Sequence, residues 1–135
     1  MSKKYQELSK KFTVEELLYK LAEEAMEVGK EAMKAAQFGL DDYHEEVSNL
    51  ERLANELNDL IAVVRLLEPK ASQWEGDLAS PSEETVSAKA EKMLKWKDYA
   101  IQRKAYIALG DMKAKGIEVE APPVTLPSTT KSSLS

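Results

Sequence analysis

The chain has 135 residues, 43% hydrophobic and 32% charged, enough for one compact core yet small enough to gain from a partner subunit. Its formal charge of −5 excludes the dense positive surface that binding to a nucleic-acid polymer relies on. The absence of cysteine excludes disulfides, thiolate zinc sites and a cysteine nucleophile, and fits a reducing cytoplasm.

The first residues, MSKKYQELSKKF, are basic but lack the apolar segment of a secretory signal. The longest purely apolar run, LIAVV, falls far short of the roughly 20 residues of a membrane span, so a soluble protein is expected. Thr13 as N-cap with Glu16 three residues on predicts a helix that stops at Gly39. Its apolar stripe is Leu17, Leu18, Leu21, Ala25, Val28, Ala32 and Ala35.

GLDDYHEEVSN reads as a polar connection. Ser48 with Glu51 then opens a second helix, running to Glu68, where Pro69 blocks continuation. Leu50, Leu53, Leu57, Leu60, Ile61, Val64 and Leu67 form its stripe. After the loop EPKASQWEGDLASP, Ser80 as N-cap, Pro81 at the first helical position and Glu83 start a third helix, expected to end near Leu109 before Gly110. No strand-like alternation is found, so the class is all-α. The domain is assigned to residues 1–120, and the proline- and hydroxyl-rich residues 121–135 read as a flexible tail.

Acids interrupt the first two stripes. Residues 1–68 hold fifteen acids against nine bases, whereas the remainder is nearly neutral. Residues three apart on a helix share a face with Cβ atoms roughly 5–6 Å apart. Glu24 and Glu27 therefore point together, as do Glu56 and Asp59. If the two helices pack antiparallel, the pairs converge on one spot, and four carboxylates so placed repel one another unless a cation joins them. Oxygen-only ligands suit Mg²⁺, with Mn²⁺ able to substitute. A di-iron centre needs a Glu-x-x-His on each of two helices, and the only histidine is His44 in the connection. Singly, an E-x-x-E is most often a solvated helix face with lysine partners such as Lys30 and Lys34; two pairs in apolar contexts make the stronger signal.

The segments LAEEAMEV and ELNDLIAVV, with 28 residues between Glu27 and Glu56, resemble the E-E-x-x-E and E-x-x-D signature of the MazG-like all-α nucleoside triphosphate pyrophosphohydrolases. KAAQFGLDD and ERLANELNDLIAVVRLLE resemble a phage and bacterial branch of that superfamily, the likeness covering roughly residues 13–68. The resemblance implies a helical bundle completed by oligomerisation as a homodimer or homotetramer. It also implies Mg²⁺ on Glu24, Glu27, Glu56 and Asp59, with Glu23 farther out. The implied reaction is water attack on the α-phosphate of a nucleoside or deoxynucleoside triphosphate, releasing the monophosphate and pyrophosphate. The implied setting is a bacterial cytoplasm, or an infected host cell if the chain is phage-encoded.

For the rest of the substrate, Lys89, Lys92, Trp96, Tyr99, Arg103 and Tyr106 share a face of the third helix. Trp96 or Tyr99 could stack on a base, with Lys92 and Arg103 reaching phosphates. Aromatics at this spacing are more often core or subunit interface. Many relatives carry a lysine and an asparagine on a later helix, whereas no asparagine follows Asn58 here. Asn55 and Asn58 are candidates for that role. The same departure keeps open a non-catalytic helical module that binds nucleotide or a protein partner.

Overall fold

The computed structural model describes residues 3–71, 73–74 and 77–118 and is dominated by helices. The proposed tail, 121–135, lies outside the described residues. Two compact units divide the chain, Met1–Ser80 and Pro81–Ser135. No helix among the described residues is long and apolar enough to cross a membrane.

In the first unit α1 spans Lys3–Ser9, α2 Val14–Phe38 and α3 Asn49–Leu67. Helix α1 packs on α3 and on the short 3-10 turn Glu68–Lys70 that follows it, with Ser9 fully buried. The sequence reading missed α1, a short helix with no acid in its first turn and no base in its last.

Helix α2 begins as expected. Thr13 Oγ1 accepts from the Glu16 N–H at 3.1 Å, and the Glu16 carboxylate accepts from the Thr13 N–H at 2.8 Å. It ends at Gly39, whose φ of 96° and ψ of 152° belong to a backbone region that is essentially glycine's alone. Ser48 caps α3 through the Glu51 N–H at 3.1 Å.

The connection between α2 and α3 is more ordered than a polar loop. Strands β1 (Tyr43–His44) and β2 (Val47–Ser48) pair antiparallel, Tyr43 opposite Ser48 and His44 opposite Val47. Two residues per strand are too few to show as alternation in the sequence. Glu45 and Glu46 at the turn have φ of 52° and 65°, a left-handed conformation glycine or asparagine would adopt more readily. The loop also satisfies the first free N–H groups of α3. Asn49 donates to the Asp42 carbonyl at 2.9 Å and Leu50 to that of Leu40 at 3.0 Å, while the buried Asn49 side chain donates to the Gly39 carbonyl at 2.9 Å.

The start of α3 is thus tied to the end of α2, so the helices run antiparallel, and their packing dominates the unit. On α2 the least exposed positions are Leu17, Leu21, Glu24, Val28, Glu31 and Ala35, alternating steps of four and three that trace one face, together with Glu27 at its edge. The expected stripe is therefore corrected: Leu18 is half exposed, and Ala25 and Ala32 lie on the open side. On α3, Val63 and Val64 are buried, whereas Leu50 and Leu57 are not. Counting every apolar residue at helical spacing produced stripes wider than the seam.

Beyond α3, the buried Glu68 closes the following loop by accepting from Arg65 Nη1 and from the Leu78 N–H at 3.1 Å. In the second unit α4 spans Glu83–Ala114 and buries none of its residues. Its cap is Ser82, which accepts from the Thr85 N–H at 3.2 Å, rather than Ser80, whose hydroxyl donates to Asp77 Oδ2 at 3.2 Å. The helix also runs through Gly110. The stop falls at Gly116, at φ 82°, where the Gly116 and Ile117 N–H groups reach back to the carbonyls of Lys113 and Met112. An interior glycine costs a helix only about 1 kcal/mol, whereas this end needs a left-handed residue.

Replacing Asn49 by alanine is expected to cost about 0.5–1.5 kcal/mol, because the buried amide's hydrogen bond is lost while the exposed Gly39 carbonyl keeps the Asp42 N–H at 3.4 Å. Urea unfolding of the purified variant measures this; an unchanged midpoint would mean that the loop is held elsewhere.

Candidate metal centre

Three of the four expected carboxylates meet. Glu24 from α2 and Glu56 and Asp59 from α3 each offer an oxygen, and these oxygens lie within 4.8 Å of one another. The antiparallel seam produces this, setting Glu24 opposite the Glu56–Asp59 turn. Burial is graded from the buried Glu24 through the half-buried Glu56 to the exposed Asp59, so the group is anchored in the seam and open at one side.

Glu27 lies outside that group. It is paired with Lys30 at 2.7 Å, and the ammonium holds its carboxyl below the usual carboxylate range. Lys30 is correspondingly raised by Glu27, with a smaller contribution from the charge of Glu56. Lys20 reaches Glu24 at 3.1 Å and Glu23 at 3.3 Å, and both carboxylates raise its pKa. The acids are thus flanked by lysines, one on each side along α2. Both are about half exposed, so either can move away at small cost.

The donor set fits a hard divalent cation. Neighbouring ligand oxygens on an octahedral Mg²⁺ lie about 3 Å apart and opposite ones about 4.2 Å, so a spacing within 4.8 Å needs only a modest contraction. All the donors are oxygen, and no histidine or cysteine belongs to the group.

Glu31, absent from the expected set, is buried one turn beyond Glu27. One oxygen pairs with Lys34 at 3.2 Å, while the buried Oε2 has no hydrogen-bond partner among the described residues. Its signal in the sequence is phase: Glu31 stands seven residues after Glu24, on the same face. Lys20 was legible in the same way, four residues before Glu24.

Asn55, Asn58 and His44 are exposed. Lys92, Trp96, Tyr99 and Arg103 all lie on α4, in the second unit, with Lys92 and Arg103 exposed. There Trp96 and Tyr99 make an edge-to-face pair, ring centres 5.7 Å apart and planes at 87°.

Comparison with protein-family models, curated proteins and solved structures gives no match for this chain.

The Glu27–Lys30 pair sets a pH dependence. Because the folded carboxyl titrates below its unfolded value, its contribution to stability is present above the ordinary glutamate range and is lost as the pH falls through the depressed folded value. A carbon-detected NMR titration is expected to show a low Glu27 midpoint that rises in Lys30→Ala. The same midpoint in both proteins would remove the lysine as the cause.

Proposed function

We propose that the chain is a Mg²⁺-dependent nucleoside or deoxynucleoside triphosphate pyrophosphohydrolase of the MazG-like all-α type, forming monophosphate and pyrophosphate by water attack on the α-phosphate. The observation that carries this reading is the meeting of Glu24, Glu56 and Asp59 across the α2–α3 seam. It joins the two halves of the E-x-x-E and E-x-x-D resemblance in space. Glu24, Glu56 and Asp59 would hold the cation, with Glu27 joining on release from Lys30. Bound there, Mg²⁺ would neutralise the polyphosphate and acidify a water, so that no protein nucleophile is required; Mn²⁺ would substitute.

The chain's own residues supply the rest. The carboxylates fix where the reacting phosphate docks, and the seam behind Glu24 keeps that carboxylate from swinging into solvent. Lys20 and Lys30, displaced from their acids, are positioned to turn toward phosphate oxygens.

Self-association as a homodimer or homotetramer belongs to the same proposal. Among the described residues only Leu17, Ala35, Val63 and Val64 are buried hydrophobics, while Leu18, Met26, Met33, Leu50 and Leu57 on α2 and α3 are exposed. Such a surface is characteristic of a subunit face. A cytoplasmic setting completes the reading, in keeping with a chain free of cysteine.

A second reading is a non-catalytic helical module that binds nucleotide or a protein partner. The lysine pairs favour it, since Lys20 and Lys30 already balance Glu24 and Glu27 without a cation. Pyrophosphate release from a panel of ribo- and deoxyribonucleoside triphosphates, with Mg²⁺ and then with EDTA, separates the two. Release that EDTA abolishes supports the hydrolase, and no release from any nucleotide supports the module.

Glu56→Gln and Asp59→Asn are each expected to lower kcat/KM by about a hundredfold or more, with an unchanged helical circular dichroism spectrum. Full activity in either variant would contradict the assignment. Mg²⁺ or Mn²⁺ at about 100 times its Kd is expected to stabilise the wild type by about 2.7 kcal/mol, and Glu24→Gln to abolish that gain. Equal stabilisation of both proteins, measured by thermal unfolding, would place the cation elsewhere.

A further inference from the structure

A second feature of the first unit lies beside the carboxylates and was not expected from the sequence. A cavity of about 340 Å³ opens between the end of α2, the hairpin and the start of α3. Its walls bring two cations, Lys34 and Arg52, together with two aromatic rings, Phe38 and Tyr43. Both rings are about two-thirds exposed, though neither belongs to the α2–α3 core.

Arg52 is fixed in place by donating from Nη2 to the His44 carbonyl at 2.7 Å, while its buried Nε–H has no acceptor among the described residues. The hairpin that carries Tyr43 is held in a left-handed turn at Glu45 and Glu46, backbone strain of the kind that clusters at ligand clamps.

The cavity also lies in line with the carboxylates. Arg52 precedes Glu56 by four residues and Lys34 follows Glu24 by ten, so at 1.5 Å per residue the offset along the helices is about 6–15 Å. Moving along the seam, the metal-site acids give way to the two cations and then to the aromatic rings, with the Asp42 carboxylate beside Tyr43 in the far wall. A nucleotide carries a matching order of groups, from metal-bound phosphate to sugar and base.

We infer that this cavity receives the base end of the nucleotide, which stacks on Phe38 and Tyr43 while Arg52 and Lys34 face its phosphate and sugar. The inference rests on the nucleotide reading above and places base discrimination within the first unit, on residues other than Trp96 and Tyr99.

The test uses the full chain with Mg²⁺ and calorimetric binding of α,β-methylene nucleoside triphosphates, whose Pα–C–Pβ bridge resists cleavage, beside inorganic tripolyphosphate. In the wild type at least one analogue is expected to bind more tightly than tripolyphosphate. Phe38→Ala and Tyr43→Ala, at exposed positions that leave the core intact, are each expected to weaken that analogue about tenfold without changing tripolyphosphate binding. The inference is overturned if both variants bind the analogue as the wild type does, if tripolyphosphate suffers an equal loss, or if no analogue outbinds tripolyphosphate. If the analogues behave as expected and cleavable nucleotides release no pyrophosphate, the cavity assignment stands and the hydrolase reading alone falls.

Discussion

Burial of carboxylates in the seam between α2 and α3 is the constraint on which the candidate site depends. The seam face of α2 carries Leu17, Leu21, Val28 and Ala35, and within the same phase Glu24 and Glu31. Removing a carboxylate from water is costly unless partners replace the lost hydration. A helix pair selected for stability alone would place apolar side chains at both positions. Lys20 and Lys34 reach in from the solvent edge to offset part of the cost, yet Glu31 Oε2 has no hydrogen-bond partner among the described residues. Local rules broken without local compensation are the usual mark of a place where function has outweighed packing.

Glu68 shows what a structural buried acid looks like in the same unit. It is as buried as Glu24, yet both an arginine and a backbone N–H converge on it, and its role is to close the loop after α3. Glu24 instead has two further acids as its neighbours across the seam, and its cationic partner is a half-exposed lysine. The two glutamates differ in what surrounds them, not in depth. On that difference rests the proposed role of Glu24, whereas Glu68 holds the fold together.

Much of this arrangement was written in local sequence. Thr13 and Glu16, Ser48 and Glu51, Gly39 and Pro69 announced where α2 and α3 begin and end, because caps and breakers act within a few residues. The two acid pairs were visible at their three-residue spacing, and so was the meeting of Glu24, Glu56 and Asp59, though not of Glu27, once antiparallel packing was assumed. What the sequence could not reveal depends on distant neighbours. Whether Leu18 or Glu24 faces the seam is settled by how α3 rotates against α2. Whether Glu27 joins the other acids or pairs with Lys30 is a matter of side-chain rotamer. The hairpin and its cavity were invisible because four paired residues leave no periodicity, and the aromatic residues of α4 drew attention by their regular spacing. Ser82 displaced Ser80 as a cap through a competition between two serines that differ only in what their hydroxyls meet.

Gly39 has a wider consequence. Its backbone angles exclude other residues, and the Asn49 side chain clasps its carbonyl, so the chain leaves α2 in a single direction. One residue added to or removed from α3 between Asn49 and Glu56 would turn everything after it by about 100° about the helix axis. Glu56 and Asp59 would then sweep away from Glu24, although each helix remained intact. Lengthening the segment between α3 and α4 would leave that alignment untouched. Natural or engineered insertions should therefore collect after residue 70 and avoid the first turns of α3.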